Sequence, residues 1–256
     1  MIGITIGISP IYEALAKLSA KCFQEMTSLE VTILGEKELL QSGLTHPASL
    51  KLKAFDFVED DNILYFDADW FCTNIWNPTI FSNCKLITAC NDFVLKIDFP
   101  NQYPDYDFRK FDDYHIENLA SHPISEIRND YINEIKEFSG LKLEFGKWIN
   151  TGMWIANRKH HQEWLNKSLG YYIGSIGHHP EYYEQPAMNK AIEKLDLKIN
   201  YLSRKYNTLV VKEKKWSNSL VGMHVKVKHH QDFIEKITSN QIQTSKQVNE
   251  YFFNGK

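Results

Sequence analysis

Two aspartates lie two residues apart directly after an apolar run. Ile63-Leu-Tyr-Phe66 is followed by Asp67, Ala68 and Asp69. On an extended backbone, side chains at positions i and i+2 share a face, so the two carboxylates would project together. Neighbouring carboxylates repel each other unless a cation neutralises them, and oxygen ligands suit Mg²⁺ or Mn²⁺ better than zinc. The spacing predicts either a divalent cation able to hold a diphosphate, or a plain turn that contains aspartates.

Two later clusters also carry polar side chains in suggestive places. Asn150, Thr151 and Gly152 interrupt an apolar stretch, which is typical of a turn, a bulge or a point where a ligand approaches the backbone. Glu184 and Gln185 come just before a proline that suits the first turn of a helix. An acidic side chain there can complement the helix dipole, or Glu184 can act as a general base. Each cluster therefore has a structural and a functional interpretation.

Hydrophobic patterning predicts that strands and helices alternate. Apolar residues alternate over residues 1–8, recur at helical spacing over 15–22 and form a second short strand over 30–34, which gives a β-α-β opening. Such units build mostly parallel sheets with helices on both faces, and ligands bind beyond the carboxyl ends of the strands. The aspartates would occupy such a position, because residues 62–66 predict a buried strand. The first strand carries no glycine-rich phosphate-binding motif.

The rest of the chain predicts a single α/β domain with one insertion. Residues 98–147 are rich in Tyr, Phe, Asp and Pro, and we interpret them as loops and short helices. Their acidic and aromatic run is either a mobile surface segment or a platform that binds an acceptor. The domain would span residues 1–230, and residues 231–256 predict a polar, helical tail. The remaining predicted elements are helices over 48–58 and 186–195 and strands over 85–90, 148–156 and 197–202.

Composition excludes several classes of protein. The chain has 256 residues, with 29 Lys and Arg against 32 Asp and Glu, so it lacks the basic excess of a nucleic-acid binder. Its four cysteines form no C-x-x-C pair, which favours a reducing compartment. Without a signal peptide or an apolar run long enough to span a membrane, the expected location is the cytoplasm. We expect a monomer or a weak homo-oligomer.

The polar clusters resemble, in their order, the motifs of GT-A-fold glycosyltransferases. Asp67-Ala-Asp69 after its strand is similar to the metal-binding D-x-D of the family 8 type of retaining galactosyl- and glucosyltransferase. Residues 150–152 resemble the block that lines the sugar pocket, and residues 183–189 resemble the acidic-Gln block near the anomeric carbon. The similarity covers residues 1–230. It implies a GT-A-like α/β fold and a hexosyltransferase that uses a nucleotide sugar, with a UDP-sugar as the expected donor and a carbohydrate or other hydroxyl as acceptor.

The resemblance also implies a metal site and a donor site. Asp67, Asp69 and His224 would hold Mn²⁺ or Mg²⁺, with His229 as the alternative third ligand. The ion would bridge the diphosphate of the donor, and a lysine would help to neutralise it. The residues implied in donor binding are Ile8, Lys51, Lys53, Asp67, Ala68, Asp69, Asn150, Thr151, Gly152 and Lys226.

Two catalytic residues are implied, and two other functions compete. Glu184 would contact donor or acceptor hydroxyls, and Gln185 would lie below the anomeric carbon. A haloacid-dehalogenase-like phosphatase also uses D-x-D after a strand, but Phe71 stands where that motif has Thr or Val. A sugar- or nucleotide-binding module without turnover is the second alternative, although such a module would not need D-x-D.

Overall fold

The computed structural model describes residues 1–92, 128–144, 146–174, 184–210 and 219–254. Most of the predicted insertion over 98–147, including its acidic and aromatic run, lies outside these residues. Tyr183 and the side chain of His229 lie outside them too.

Two sheets form the framework of the described chain. The larger sheet has six strands in the order β2-β1-β3-β6-β5-β7, and the smaller sheet has three in the order β4-β9-β8. The smaller sheet is not predicted by the sequence patterns, because its strands have only two or three residues. The strands are β1 (Ile2–Ile6), β2 (Val31–Leu34), β3 (Asn62–Phe66), β4 (Trp70–Cys72), β5 (Ile87–Asn91), β6 (Ile149–Asn157), β7 (Ile199–Leu202), β8 (Thr208–Leu209) and β9 (Gly222–His224).

The larger sheet is mostly parallel, as predicted, with one antiparallel strand inside it. β1 runs parallel to β2 and β3, and β5 runs parallel to β7. β6 lies between β3 and β5 and is antiparallel to both. All nine residues of β6 are buried because it has a strand on each side and packing on each face.

Helices cover both faces of this sheet, which confirms the predicted α/β architecture. The helices are α1 (Pro10–Thr27), α2 (Glu36–Ser42), α3 (Asn129–Ser139), α4 (Arg158–Gly174), α5 (Gln185–Lys194), α6 (Gln231–Thr238) and α7 (Ser245–Asn249). Successive strand residues point to opposite faces. Ile63 and Tyr65 of β3 therefore join the cluster that contains Trp164 of α4, whereas Phe66 stacks on Phe23 of α1 with ring centroids 4.9 Å apart.

Residues 150–152 form no turn, but the bulge that the sequence also allows is present where β6 pairs with β5. Asn150, Thr151 and Gly152 continue β6 without interruption. The pairing of β6 with β5 is irregular here, because Ala89 pairs with Trp154 but Asn91 pairs with Ile149, so the extra residues lie in β6. Gly152 is needed here because the His224 ring and the Asn150 side chain occupy the space that a Cβ would fill.

The helix predicted over 48–58 is a pair of tighter 3₁₀ turns. Pro47–Phe57 has 3₁₀ geometry, and Lys53 breaks it with φ −113° and ψ 19°. His46 caps its start, since its Nδ1 accepts a hydrogen bond from the backbone N–H of Ala48 at 3.2 Å. The tighter geometry separates the two lysines of this segment. Lys51 is buried and Lys53 is only half-buried.

Apolar side chains of the described C-terminal helices pack into the core. Phe233 and Ile237 of α6 and Val248 of α7 are buried in one cluster with Leu15 and Leu18 of α1. The polar residues that dominate this part of the sequence lie on the outer side of short helices. Within the described ranges, no helix is both long and apolar enough to cross a bilayer.

Candidate functional site

The aspartate motif is the connection between the two sheets. β3 ends at Phe66 and β4 begins at Trp70, so Asp67, Ala68 and Asp69 pass from one sheet to the other. Backbone hydrogen bonds hold this connection in place. The Asp67 N–H donates to the Gly152 carbonyl at 2.8 Å, and the Asp69 carbonyl accepts from the N–H that follows β9, also at 2.8 Å.

Asp67, Asp69 and His224 converge on one point. One ligand atom from each lies within 4.8 Å of the others, and His224 Nε2 is 3.3 Å from Asp69 Oδ1. The histidine reaches the aspartates because β9 pairs with β4, with His224 opposite Trp70. Two carboxylates and an imidazole are a donor set that fits Mn²⁺ and similar divalent cations. The grouping brings the three predicted metal ligands together.

His224 is buried between acidic and amide groups. Burial alone would lower the pKa of its imidazole, but the adjacent carboxylates, chiefly Asp69, outweigh burial and raise that pKa above its ordinary value. On the other side of the ring, Nδ1 lies 3.3 Å from Oδ1 of Asn207, which is fully buried. The ring is therefore fixed from both nitrogens.

Lys51 is a buried cation that joins the aspartate motif to Glu184. Its Nζ is 2.9 Å from Asp67 Oδ1, 2.6 Å from Glu184 Oε1 and 3.3 Å from the Thr151 carbonyl. Burial alone would lower the pKa of Lys51, but the two carboxylates reverse this and raise it above its usual value. The Tyr65 hydroxyl adds a 2.7 Å hydrogen bond to the same oxygen of Asp67. Burial favours the neutral form of Asp67, yet Lys51 and His224 keep the pKa of its carboxyl below the usual range.

Glu184 and Gln185 lie at the start of α5 and reach toward β6. Glu184 occupies the N-cap position, but its side chain does not cap the helix, and Oε1 instead accepts from Lys51 and from the Thr151 hydroxyl at 3.1 Å. Gln185 Oε1 accepts from the Thr151 N–H at 3.0 Å, and its Nε2 donates to the Tyr131 hydroxyl at 3.4 Å. Both side chains are thus used to fix α5 against the middle of the sheet.

A cavity of about 390 Å³ opens above this cluster. Several predicted site residues line it together, whereas others lie outside it. Lys53 points away and donates to the Ser42 carbonyl at 2.9 Å, and Lys226 follows His224 without lining the cavity. The predicted residues on its wall are Ile8, Lys51, Asp67, Ala68, Asp69, Glu184 and His224.

Sequence reasoning missed residues that complete the cluster. Tyr65 could have been found, since it lies two residues before Asp67 and so shares its face of the strand. Tyr12 and His46 line the cavity from segments with no motif of their own. Asn207 gives no local signal, because it follows a short 3₁₀ turn and reaches His224 only through the fold.

Several solved glycosyltransferases align with this chain. The galactosyltransferase LgtC, in complex with donor and acceptor sugar analogues, aligns with a TM-score of 0.53 at 10% identity over 94% of this chain and 96% of LgtC. The bifunctional glycosyltransferase WbbM aligns with a TM-score of 0.56 at 8% identity over 94% of this chain and 50% of WbbM. GlyE of Streptococcus pneumoniae TIGR4 aligns with a TM-score of 0.56 at 12% identity, over 98% of this chain and 63% of GlyE.

These alignments confirm the predicted GT-A fold, and at such low identity they concern the fold alone. The chain spans nearly the whole of LgtC but only half of WbbM and less than two thirds of GlyE. No family model matches the sequence, and no curated protein matches it.

Proposed function

We propose that this protein is a glycosyltransferase that moves a hexose from a nucleotide sugar, with UDP as the nucleotide, to a hydroxyl of a glycan or similar acceptor. The observation that carries the proposal is the convergence of Asp67, Asp69 and His224 on one wall of the cavity. The GT-A fold supports the same reading. The cavity volume also lies within the range of about 300–1,000 Å³ common for small-molecule sites.

The three converging side chains would hold Mn²⁺, or Mg²⁺ in its place. When bound, such a cation binds the diphosphate and stabilises the negative charge on the nucleoside diphosphate as it leaves. The chain supplies the geometry for this. Asp67 is oriented by Lys51 and Tyr65 through one oxygen, and His224 is held by Asn207 through Nδ1. Ligands fixed in this way need little reorganisation when the cation binds.

Lys51 would act here as an internal counter-charge. Its ammonium contacts two carboxylates and a carbonyl, so it neutralises the cluster that faces the donor. Ile8 and Ala68 would form apolar parts of the donor wall, and Glu184 would present its carboxylate to sugar hydroxyls. Gln185 would keep the first turn of α5 beside the sugar through its bonds to Thr151 and Tyr131.

A thermal-shift screen tests the donor class. The protein would be heated with UDP-, GDP- and TDP-sugars, each with Mn²⁺ and with EDTA, because a ligand that binds the native state raises its stability. We expect the largest shift with a UDP-sugar and Mn²⁺. A shift that is equal in EDTA would contradict the metal-dependent proposal and favour the binding module. Phosphate release from a generic phosphomonoester would favour the phosphatase.

Replacing Asp69 tests whether the proposed metal site supports catalysis. A bound cation contributes several kcal/mol to charge stabilisation, and each 1.36 kcal/mol is a factor of ten in rate. We therefore expect Asp69→Asn to lower donor hydrolysis or transfer about 100-fold or more and to remove the Mn²⁺-dependent shift. The matched control is Asp196→Asn, whose side chain is 92% exposed. Unchanged turnover in Asp69→Asn would overturn the proposal.

A further inference from the structure

A continuous chain of buried hydrogen bonds lies behind His224. Asn150 Nδ2 donates to Asp92 Oδ1 at 3.3 Å, and Asn207 Nδ2 donates to Asn150 Oδ1 at 2.8 Å. Asn207 Oδ1 then lies 3.3 Å from His224 Nδ1. Asp92, Asn150 and Asn207 are 3%, 6% and 0% exposed, so water does not compete for these bonds. Their connection reaches from the end of β5 through β6 to β9.

The groups around Asn150 fix which atom donates and which accepts along this series of hydrogen bonds. A carboxylate only accepts hydrogen bonds, so Asp92 requires the amide nitrogen of Asn150 to face it. The Gly152 backbone N–H only donates, and it lies 2.9 Å from the oxygen of Asn150. Both groups therefore set Asn150 in one orientation. Its oxygen then requires the amide nitrogen of Asn207, which turns the oxygen of Asn207 toward His224.

The donor and acceptor order of these hydrogen bonds determines which nitrogen of His224 carries a proton. An amide oxygen only accepts, so Nδ1 of His224 must be protonated where it meets Asn207. A neutral imidazole protonated at Nδ1 has its lone pair on Nε2. That nitrogen faces Asp69 Oδ1 at 3.3 Å, with Asp67 nearby. A lone pair aimed at two carboxylates is electrostatically unfavourable unless a proton on Nε2 or a metal cation lies between them.

We propose that Asn207, supported by Asn150 and Asp92, is a positioning relay that presents Nε2 of His224 to a divalent cation. The cation part rests on the proposed function, whereas the proton position on His224 does not. The relay also gives Asn150 a different task from the donor contact that its motif implies, because both ends of its amide are already bonded inside the protein. Asn207 is the member that touches the ring.

The proton position can be measured without any metal. ¹⁵N-labelled histidine in the metal-free protein at alkaline pH would show whether the single imidazole proton of His224 is on Nδ1 or Nε2, with His224→Gln to assign the signal. We expect Nδ1–H in the native protein and a shift toward Nε2–H in Asn207→Ala. A native His224 that carries its proton on Nε2 would overturn the relay, whatever the enzyme does.

Mn²⁺ affinity supplies the second measurement. Removing a group that orients a metal-binding histidine lowers metal affinity by about 10–100-fold, so calorimetric titration of Asn207→Ala with Mn²⁺ should show a loss of that size. The control is Asn157→Ala, which removes another buried asparagine at the far end of β6. Both variants should lose stability, but only Asn207→Ala should lose Mn²⁺ affinity. Equal affinity in the two variants would contradict the relay.

The two measurements separate failure of the relay from failure of the proposed function. If native protein does not bind Mn²⁺ but His224 keeps its proton on Nδ1, the relay holds and the metal-dependent transferase does not. If Mn²⁺ binds and Asn207→Ala binds it equally well, the site is a metal site without a relay, and the positioning role is excluded.

Discussion

Lys51 uses all its hydrogen-bonding capacity inside the protein. An ammonium has three donors, and here they face Asp67, Glu184 and the Thr151 carbonyl. A charge taken out of water is tolerated only with partners of this kind. The arrangement couples the aspartate motif to the start of α5, although the two are far apart in sequence.

Replacing this lysine should leave two carboxylates without their counter-charge. Removing one partner of a buried ion pair costs roughly 3–5 kcal/mol, so we expect Lys51→Met to lower the free energy of unfolding by about that amount. Urea denaturation measures it. Lys53→Met is the matched control, and it should cost about 1 kcal/mol or less, because it loses one hydrogen bond to the Ser42 carbonyl.

The stability lost in Lys51→Met should depend on pH in a defined direction. Because the pKa of Asp67 is held below its usual value in the fold, its ion pair stabilises the protein above that usual value. The stabilisation is lost as pH falls through the lowered pKa. The difference between native protein and Lys51→Met should therefore shrink in acid, and a difference that grows in acid would contradict the assigned ion pairs.

Local spacing allowed some of the site to be predicted and hid the rest. Asp67 and Asp69 are recognisable as a D-x-D pair after an apolar run, although a turn after β3, and not the extended strand predicted, brings their carboxylates together. The bonds from Lys51 to Glu184 and from Asn207 to His224 join distant segments that share no pattern. Such contacts depend on strand order and register, which one segment does not encode.

At the scale of elements, β6 determines the geometry of the site. Its residues 150–152 accept hydrogen bonds from Asp67, Lys51 and Asn207 and donate one to Gln185. The sequence predicts this strand but not its antiparallel direction, because apolar periodicity is the same whichever way a strand runs. The two short strands that carry His224 to the aspartates have too few residues to show any period.

Gly152 is required because another side chain occupies the space beside it. A Cβ there would lie 2.6 Å from His224 Cε1 and 2.9 Å from Asn150 Oδ1. Overpacking a core costs about 1–3 kcal/mol, so we expect Gly152→Ala to lower stability by that amount and to weaken Mn²⁺ binding by displacing the ring. Thermal unfolding and calorimetric titration test both effects.

Gly170 of α4 is the control for this substitution. A Cβ at Gly170 would meet nothing within 4 Å, and alanine in a helix is favoured over glycine by about 0.5–1 kcal/mol. Gly170→Ala should therefore stabilise the protein without changing metal binding. If Gly152→Ala behaves in the same way, the assigned position of the His224 ring is wrong.

At the scale of the whole molecule, the C-terminal helices close the core over α1. Phe233 is fully buried and makes an edge-to-face contact with Phe71 of β4, with ring centroids 5.5 Å apart. The sequence predicts helices here but not their burial, because only a few apolar residues are spread among many polar ones. Their partners, Leu15 and Leu18, lie near the other end of the chain.

Truncating this aromatic ring tests the importance of the closure. Phe→Ala in a core costs about 3–5 kcal/mol, so we expect Phe233→Ala to lower the free energy of unfolding by that amount in urea. Ile75→Ala, at a side chain that is 88% exposed, should change it little. An equally mild effect of both substitutions would show that the C-terminal helices pack only loosely on α1.

The position of His224 in β9 has a consequence for the order in which the protein is made. During synthesis, both aspartates leave the ribosome long before the histidine that completes their group. A nascent chain therefore holds two adjacent carboxylates with no imidazole opposite them, and its parallel strands wait for distant partners. A divalent cation held by all three ligands, as proposed, would stabilise only the fold in which β9 has paired with β4, so it would not assist the earlier steps of folding.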